Sequence, residues 1–271
     1  MDTIKRLSLY IFFFLLAYMP FHIFLSTWVG SSFHILGFAK VAKDGLLLVG
    51  AVLAFVASTK QPWFKQLFKD RLHQLMLAYA ALTILLAVVR PTDQGAEILG
   101  VVYNTRFLLF FLYAVLLSRL FDARHLLKRA VQIVLAAGAV VMMVGILQYA
   151  VLPNSAFTHF GYSRANGVLP AFFIDDKPNL ELVMSTLRDP NSLGSYTIIV
   201  GMLALAMLLK TKNRNLKNIS QGLFGLTLLC LWFTFSRSAL LGFLIAGASL
   251  LFLMFKKKRL LNQLPKKLLV A

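Results

Sequence analysis

Eight stretches of the chain, roughly residues 7–25, 38–57, 72–89, 98–118, 130–152, 192–209, 219–235 and 238–255, have the length and apolar character of membrane-crossing helices. Crossing ~30 Å of hydrocarbon takes ~20 mostly apolar residues in a helix, which satisfies its own backbone hydrogen bonds. That recurrence excludes most folds at once. With 59% hydrophobic and only 14% charged residues, the 271-residue chain has more apolar surface than a soluble globule can enclose. A lone cysteine, Cys230, rules out an internal disulfide scaffold. The expected architecture is all-α: a polytopic transmembrane bundle of about eight spans, forming a single domain over residues 1–271 with a long external loop at about 151–189.

A net charge of +18 would point to nucleic acid in a soluble protein, but here it has a simpler reading. The basic residues cluster in the short connections that alternate along the chain. Assigning the N-terminus, 58–71, 119–129, 210–218 and the tail to one side places 20 of the 28 Lys and Arg there, with only Asp2, Asp70 and Asp122 to oppose them. By the positive-inside rule both termini are then cytoplasmic. Lys5 and Arg6 precede a first span without a small-x-small cleavage site, so a retained anchor is expected, not a cleaved signal. The run Lys256-Lys257-Lys258-Arg259 directly follows an apolar span and reads as a headgroup anchor. No nucleic-acid partner is expected; the bilayer is.

The informative charges are those at membrane depth. Behind Arg106 the apolar run from Phe107 to Ser118 is 12 residues, only ~18 Å of helix, so Arg106 must lie below the outer surface of its span. It either snorkels or pairs with a carboxylate, or it serves as a functional cation. The second span behaves alike: Gly45 to Ala57 is 13 residues, which draws Lys40, Lys43 and Asp44 into its outer portion. Lys40 and Asp44 stand i, i+4 and suit a local ion pair, whereas the spacing offers Lys43 no partner. From Ile219 to Phe255, 37 residues contain one charge, Arg237, and basic flanks demand two crossings. Arg237 is thereby held near the outer turn of a hairpin, where an interfacial anchor is the plain alternative to function. Together these residues suggest a cationic cavity at the outer-leaflet level, fitted to a phosphate or diphosphate held at that depth.

The loop from Val151 to Asp189 carries Arg164, Lys177 and Arg188 against Asp175, Asp176, Glu181 and Asp189. Its last residues predict a helix start, with Asp189 as N-cap and Pro190 in the first helical position. Capping does not explain Arg188. The sequence lacks a phosphate-binding Gly-rich loop, an HExxH pair and any His/Cys set at metal-ligand spacing. No metal or cofactor is expected, and internal repeats are not evident.

Two segments resemble the O-antigen ligase and O-antigen polymerase-like membrane proteins: Arg188-Asp189-Pro190-Asn191-Ser192-Leu193-Gly194 at a helix start, and Phe233-Thr234-Phe235-Ser236-Arg237-Ser238-Ala239-Leu240-Leu241-Gly242 at a hairpin turn. Lys43-Asp44 in the second span and Arg106 in the fourth are similar to that family too, so the resemblance covers nearly the whole chain. It implies a multi-pass protein of the bacterial inner membrane. Its activity would be glycan transfer at the outer face, from a polyprenyl-diphosphate-linked saccharide to a glycan, lipid or protein acceptor. Arg237 is implied in catalysis, with Arg106, Arg188, Arg164 and Lys43 as diphosphate-binding residues. Members of the family usually continue into further helices and an external loop bearing a histidine, to which no residue here corresponds. His159 lies in the earlier loop. The chain is therefore expected to be the N-terminal part of a longer protein. Two other functions compete: a small-anion transporter of bicarbonate type, and a non-catalytic subunit of an envelope-assembly complex.

Overall fold

A computed structural model describes residues 1–89, 94–174, 177 and 181–263. The protein is all-α apart from one two-stranded ladder. Helices α1 (Asp2–Tyr18) and α2 (His22–Ser32) are separated by a 3-10 turn, Met19–Phe21. Pro20 breaks the first span there, because it has no N–H for the helical ladder. There follow α3 (Leu36–Ser58), the single turn α4 (Phe64–Leu67), α5 (Arg71–Val89), α6 (Gln94–Leu120) and α7 (Ala123–Ala150). After the loop come α8 (Pro190–Lys210), α9 (Arg214–Thr234) and α10 (Arg237–Gln263).

Among the described residues, seven helical segments are long and apolar enough to cross a bilayer, with α1 and α2 counted as one. This is consistent with a multi-pass membrane bundle. Helix α9 coincides with the remaining expected span and lies outside those seven. That helix has 21 residues, but Arg214, Lys217, Asn218 and Gln221 in its first half leave it less apolar than its neighbours.

The helices pack as two compact units, Met1–Met19 with Gly37–Ala130, and Pro20–Leu36 with the chain from Val131 onward. In the first, α3 turns a face of small residues inward: Gly50, Ala51, Ala54, Ala57 and Ser58. Small residues let membrane helices approach closely, where packing must replace the hydrophobic drive that lipid does not supply. A Cβ on Gly50 would stand 2.5 Å from the Tyr113 hydroxyl of α6. That hydroxyl donates to the Ser8 carbonyl, while Ser8 Oγ donates to the Gly50 carbonyl at 3.0 Å. Phe12 meets the Tyr113 ring edge-on at 5.3 Å, closing a core of Phe12, Leu15, Leu47, Leu116 and Leu117.

In the second unit α7, α8 and α9 present matching faces. Gly138 packs on Val200, and Gly201 lies between Thr227 and Phe243. The loop after α7 is a structured cap. A 3-10 turn, Ala156–Phe160, ends at Gly161 with φ +80, where a side chain would also collide with Ser31 of α2. Phe24 of α2 packs against Phe160 at 4.9 Å and against Phe157 and Tyr162. Strand β1 (Phe172–Phe173) pairs antiparallel with β2 (Glu181–Leu182), Phe172 opposite Leu182.

Beyond β2 the chain dives inward: Val183, Met184, Ser185 and Thr186 are all buried. Irregular backbone is tolerated at such depth only when protein satisfies its polar groups, and here it does. The side-chain oxygen of Gln148 accepts from the N–H groups of Met184 and Ser185 at 3.2 and 2.8 Å. Ser185 Oγ donates to the Val141 carbonyl, Thr186 Oγ1 to the Pro20 carbonyl, and Val183 N–H to the Phe233 carbonyl. The Gln148 amide nitrogen completes the set by donating to Glu181 at 2.7 Å.

Burial pushes the Glu181 carboxyl above its ordinary value of 4.5, against the lowering effect of the Gln148 bond. A carboxyl whose pKa is raised by folding stabilises the fold below its unfolded pKa, and that contribution is lost as pH rises through the folded value. Glu181→Gln keeps an oxygen for Gln148 and removes the desolvated charge. Its melting temperature is expected to equal or exceed that of the parent at neutral pH. The parent should gain stability on acidification toward pH 4.5 and the variant should not, as paired thermal melts across that range would reveal.

Candidate functional site

The two segments that carry the family resemblance meet in the second unit. At the first, Asp189 caps α8: one carboxylate oxygen accepts from Ser192 N–H and the other from Ser192 Oγ, both at 2.8 Å. Pro190 occupies the first helical position, where its missing N–H costs nothing. At the second, α9 ends on Phe235 in a left-handed conformation, φ 49. Ser236 then caps α10, its Oγ accepting from Ala239 N–H at 3.3 Å. The same Oγ donates to Asn191 Oδ1 at 2.8 Å. One serine thus joins the starts of two helices.

Packing below this bond keeps the junction tight. A Cβ on Gly194 would collide with Ala239, and one on Gly242 would press Ile198 at 3.0 Å. Gly194→Ala is expected to destabilise the protein by about 1–3 kcal/mol, the usual range for an overfilled contact. Ala239→Gly in the same chain should recover part of the loss. A thermal-melt double-mutant cycle with no coupling between the two positions would contradict this packing.

Arg237 is the first residue of α10 and is exposed. No hydrogen bond or ion pair to its side chain occurs among the described residues. A cation at a helix N-terminus is opposed by the macrodipole, so local structure gains nothing from it. Arg237 lines an open surface groove of roughly 340 Å³ together with the exposed side chains of Trp232, Phe235, Leu240, Leu241 and Leu244. The first-turn N–H groups that the Ser236 cap does not engage are open to an incoming acceptor. Polar donors and a positive charge therefore stand over an apolar wall.

Arg188, one residue before the α8 cap, is also exposed. The Asn191–Ser236 bond places its helix start beside that of Arg237. Asp189 between them puts one carboxylate into the same neighbourhood, so the site is not uniformly cationic. Arg164 occupies a separate turn, closed by Gly167 N–H on the Arg164 carbonyl and flanked by the Ser163–Val168 bridge. No bond among the described residues ties its side chain to Arg188 or Arg237.

Lys43 and Arg106 belong to the first unit and meet there. Asp44 accepts from Lys43 Nζ at 3.2 Å and lies 3.4 Å from Arg106 Nη1. The Arg106 guanidinium also stacks over the Tyr103 ring at 5.1 Å, a favourable cation–π arrangement. Lys43, for which the spacing offered no partner, is held by its own sequence neighbour and by the Lys40 carbonyl at 3.0 Å.

Sequence reasoning named the arginines but missed the residues that organise them. Asn191 and Ser236 carried a signal, since each stands beside the conspicuous Pro190 or Arg237. Gln148 carried none, because a single Gln near the end of an apolar span has no periodic or charge signature.

Comparison of the chain with protein-family models, with curated proteins and with solved structures finds no match.

Proposed function

We propose that this protein takes part in glycan transfer from a polyprenyl-diphosphate carrier at the outer face of a bacterial inner membrane, in the manner of O-antigen ligases and polymerases. One observation carries the reading: Arg237 has no partner among the described residues, stands at the start of α10 against the helix dipole and on an apolar surface groove, and its neighbour Ser236 is hydrogen-bonded to the motif that bears Arg188. A cation kept where it serves no structural purpose is a functional cation. The arrangement suits an amphiphile with an anionic head and an apolar tail.

In such a reaction the acceptor hydroxyl attacks the anomeric carbon, the carbon–oxygen bond to the diphosphate breaks, and negative charge grows on the departing oxygens. Arg237 and the first-turn N–H groups of α10 would bind that charge, with Arg188 assisting. A planar guanidinium suits paired phosphate oxygens. The site accounts for the leaving-group side of the transfer. Lys43 and Arg106 are committed to Asp44 and are not needed for it.

The test is a purified preparation in liposomes given synthetic polyprenyl-diphosphate oligosaccharides, with and without acceptor glycans. Release of polyprenyl diphosphate supports transfer. Saturable donor binding without release supports a non-catalytic subunit. Neither binding nor release, with flux of bicarbonate across the same liposomes, would replace this reading by transport.

A further inference from the structure

The first unit contains a larger cavity, of about 630 Å³, bounded by α3, α5 and α6. Its volume falls in the range of small-molecule sites, and its wall is almost wholly apolar. Three features define what fits it. Helix α5 lends the face His73, Met76, Leu77 and Ala80, spaced i, i+3, i+4, i+7, yet none of its residues is buried. His73, Met76 and Ala80 on that face are half-buried, so the unit covers them only in part.

The second feature is the polar end, where Asp44 and Arg106 line the cavity and Lys43 backs them. Two cations against one carboxylate leave a single net positive charge. Both cations lean one turn toward the N-terminal ends of their helices, Lys43 onto the Lys40 carbonyl and Arg106 over Tyr103. In the orientation set by the basic connections, those ends face the outer leaflet. The third feature is length. The lining residues of α6 run from Val102 to Leu112, ~15 Å of helix, and Leu67, Phe68 and His73 close the cavity at the end nearest the cytoplasmic connection.

The geometry points to a binding site for an anionic phospholipid of the outer leaflet, with one acyl chain in the α3–α5–α6 cavity and its phosphodiester on Arg106 and Lys43. One net charge matches one phosphodiester, whereas a diphosphate would retain unbalanced negative charge. The apolar wall beyond the charged end matches an acyl chain. The site is independent of the transfer reading and stands or falls without it.

Native mass spectrometry of the full chain, released from nanodiscs of mixed phosphatidylglycerol and phosphatidylcholine, tests it. The parent should retain phosphatidylglycerol selectively. Arg106→Ala should lower that retention about tenfold through loss of a charge-assisted contact. Ala80→Phe, which fills the cavity and leaves all three charges in place, should lower retention of either lipid. Circular dichroism and melting of each variant confirm that the fold persists. Equal retention in the parent and both folded variants overturns the site. So does retention that falls with His73→Ala but not with Arg106→Ala, which would put the head at the opposite end. Displacement of phosphatidylglycerol by an equimolar polyprenyl phosphate would overturn the assignment to a bilayer lipid.

Discussion

Arg237→Ala is expected to lower transfer by about 100- to 1,000-fold, the range seen when one preorganised stabiliser of developing charge is removed, while the melting temperature stays level or rises slightly. Both halves follow from the same geometry. The side chain is exposed and has no partner among the described residues, so its loss strands none of them. Its position at the start of α10 opposes the helix dipole, so the fold carries a small cost that the substitution removes. Arg237→Lys restores the charge but not the two-pronged donor geometry, and should recover only part of the activity. Arg188→Ala should be milder, since Asp189 beside it already offsets its charge. Initial rates of polyprenyl diphosphate release, paired with melts of each variant, separate the effects. Full activity in Arg237→Ala would remove the central assignment. Loss of activity together with a collapsed melt would mean that Arg237 is structural after all.

The contrast between Arg237 and Arg106 shows how far sequence reaches. Both appear as charges at the edge of an apolar run, Arg106 below the outer surface of its span and Arg237 near the outer turn of a hairpin. Hydrophobic run length reports depth along a helix and says nothing of which neighbour shares it. Only the fold separates them: Arg106 finds Asp44, 62 residues away, and Arg237 meets no carboxylate among the described residues. The spans themselves were legible because periodic apolarity over ~20 residues has few other uses. Pro190 and Asp189 were legible because capping chemistry is local. The α9 segment starts earlier than its apolar run, at Arg214, because Asn213 caps the helix there through the N–H groups of Asn215 and Leu216. The buried chain from Val183 to Thr186 could not be read at all. Its sequence is that of any mixed loop, and its depth is set by a partner on α7.

That partner makes Gln148→Leu the substitution with the largest expected loss of stability. Leucine keeps the volume but leaves the N–H groups of Met184 and Ser185 buried without an acceptor, and Glu181 without its donor. Each stranded group costs about 1–3 kcal/mol, so a loss of about 3 kcal/mol or more is expected. Gln148→Glu restores an oxygen for the two N–H groups but sets a second carboxylate against Glu181. Two adjacent carboxyls cannot both ionise cheaply, so this variant should be unstable at neutral pH and recover as acid protonates one of the pair. Melting of the three proteins across pH decides the matter, because Gln148→Leu gains in acid only what its single Glu181 carboxyl returns, whereas Gln148→Glu is also relieved of repulsion between two. The consequence reaches the transfer site through the chain itself: Thr186 is two residues before Arg188, and the buried segment is what holds that arginine's loop to α7. A loosened segment should therefore raise the donor concentration needed for half-maximal rate without lowering the rate at saturation. Substitution of Arg237, which acts on the departing charge directly, lowers both the saturated rate and its ratio to that concentration. Identical kinetic signatures for the two variants would show that the loop does more than position Arg188.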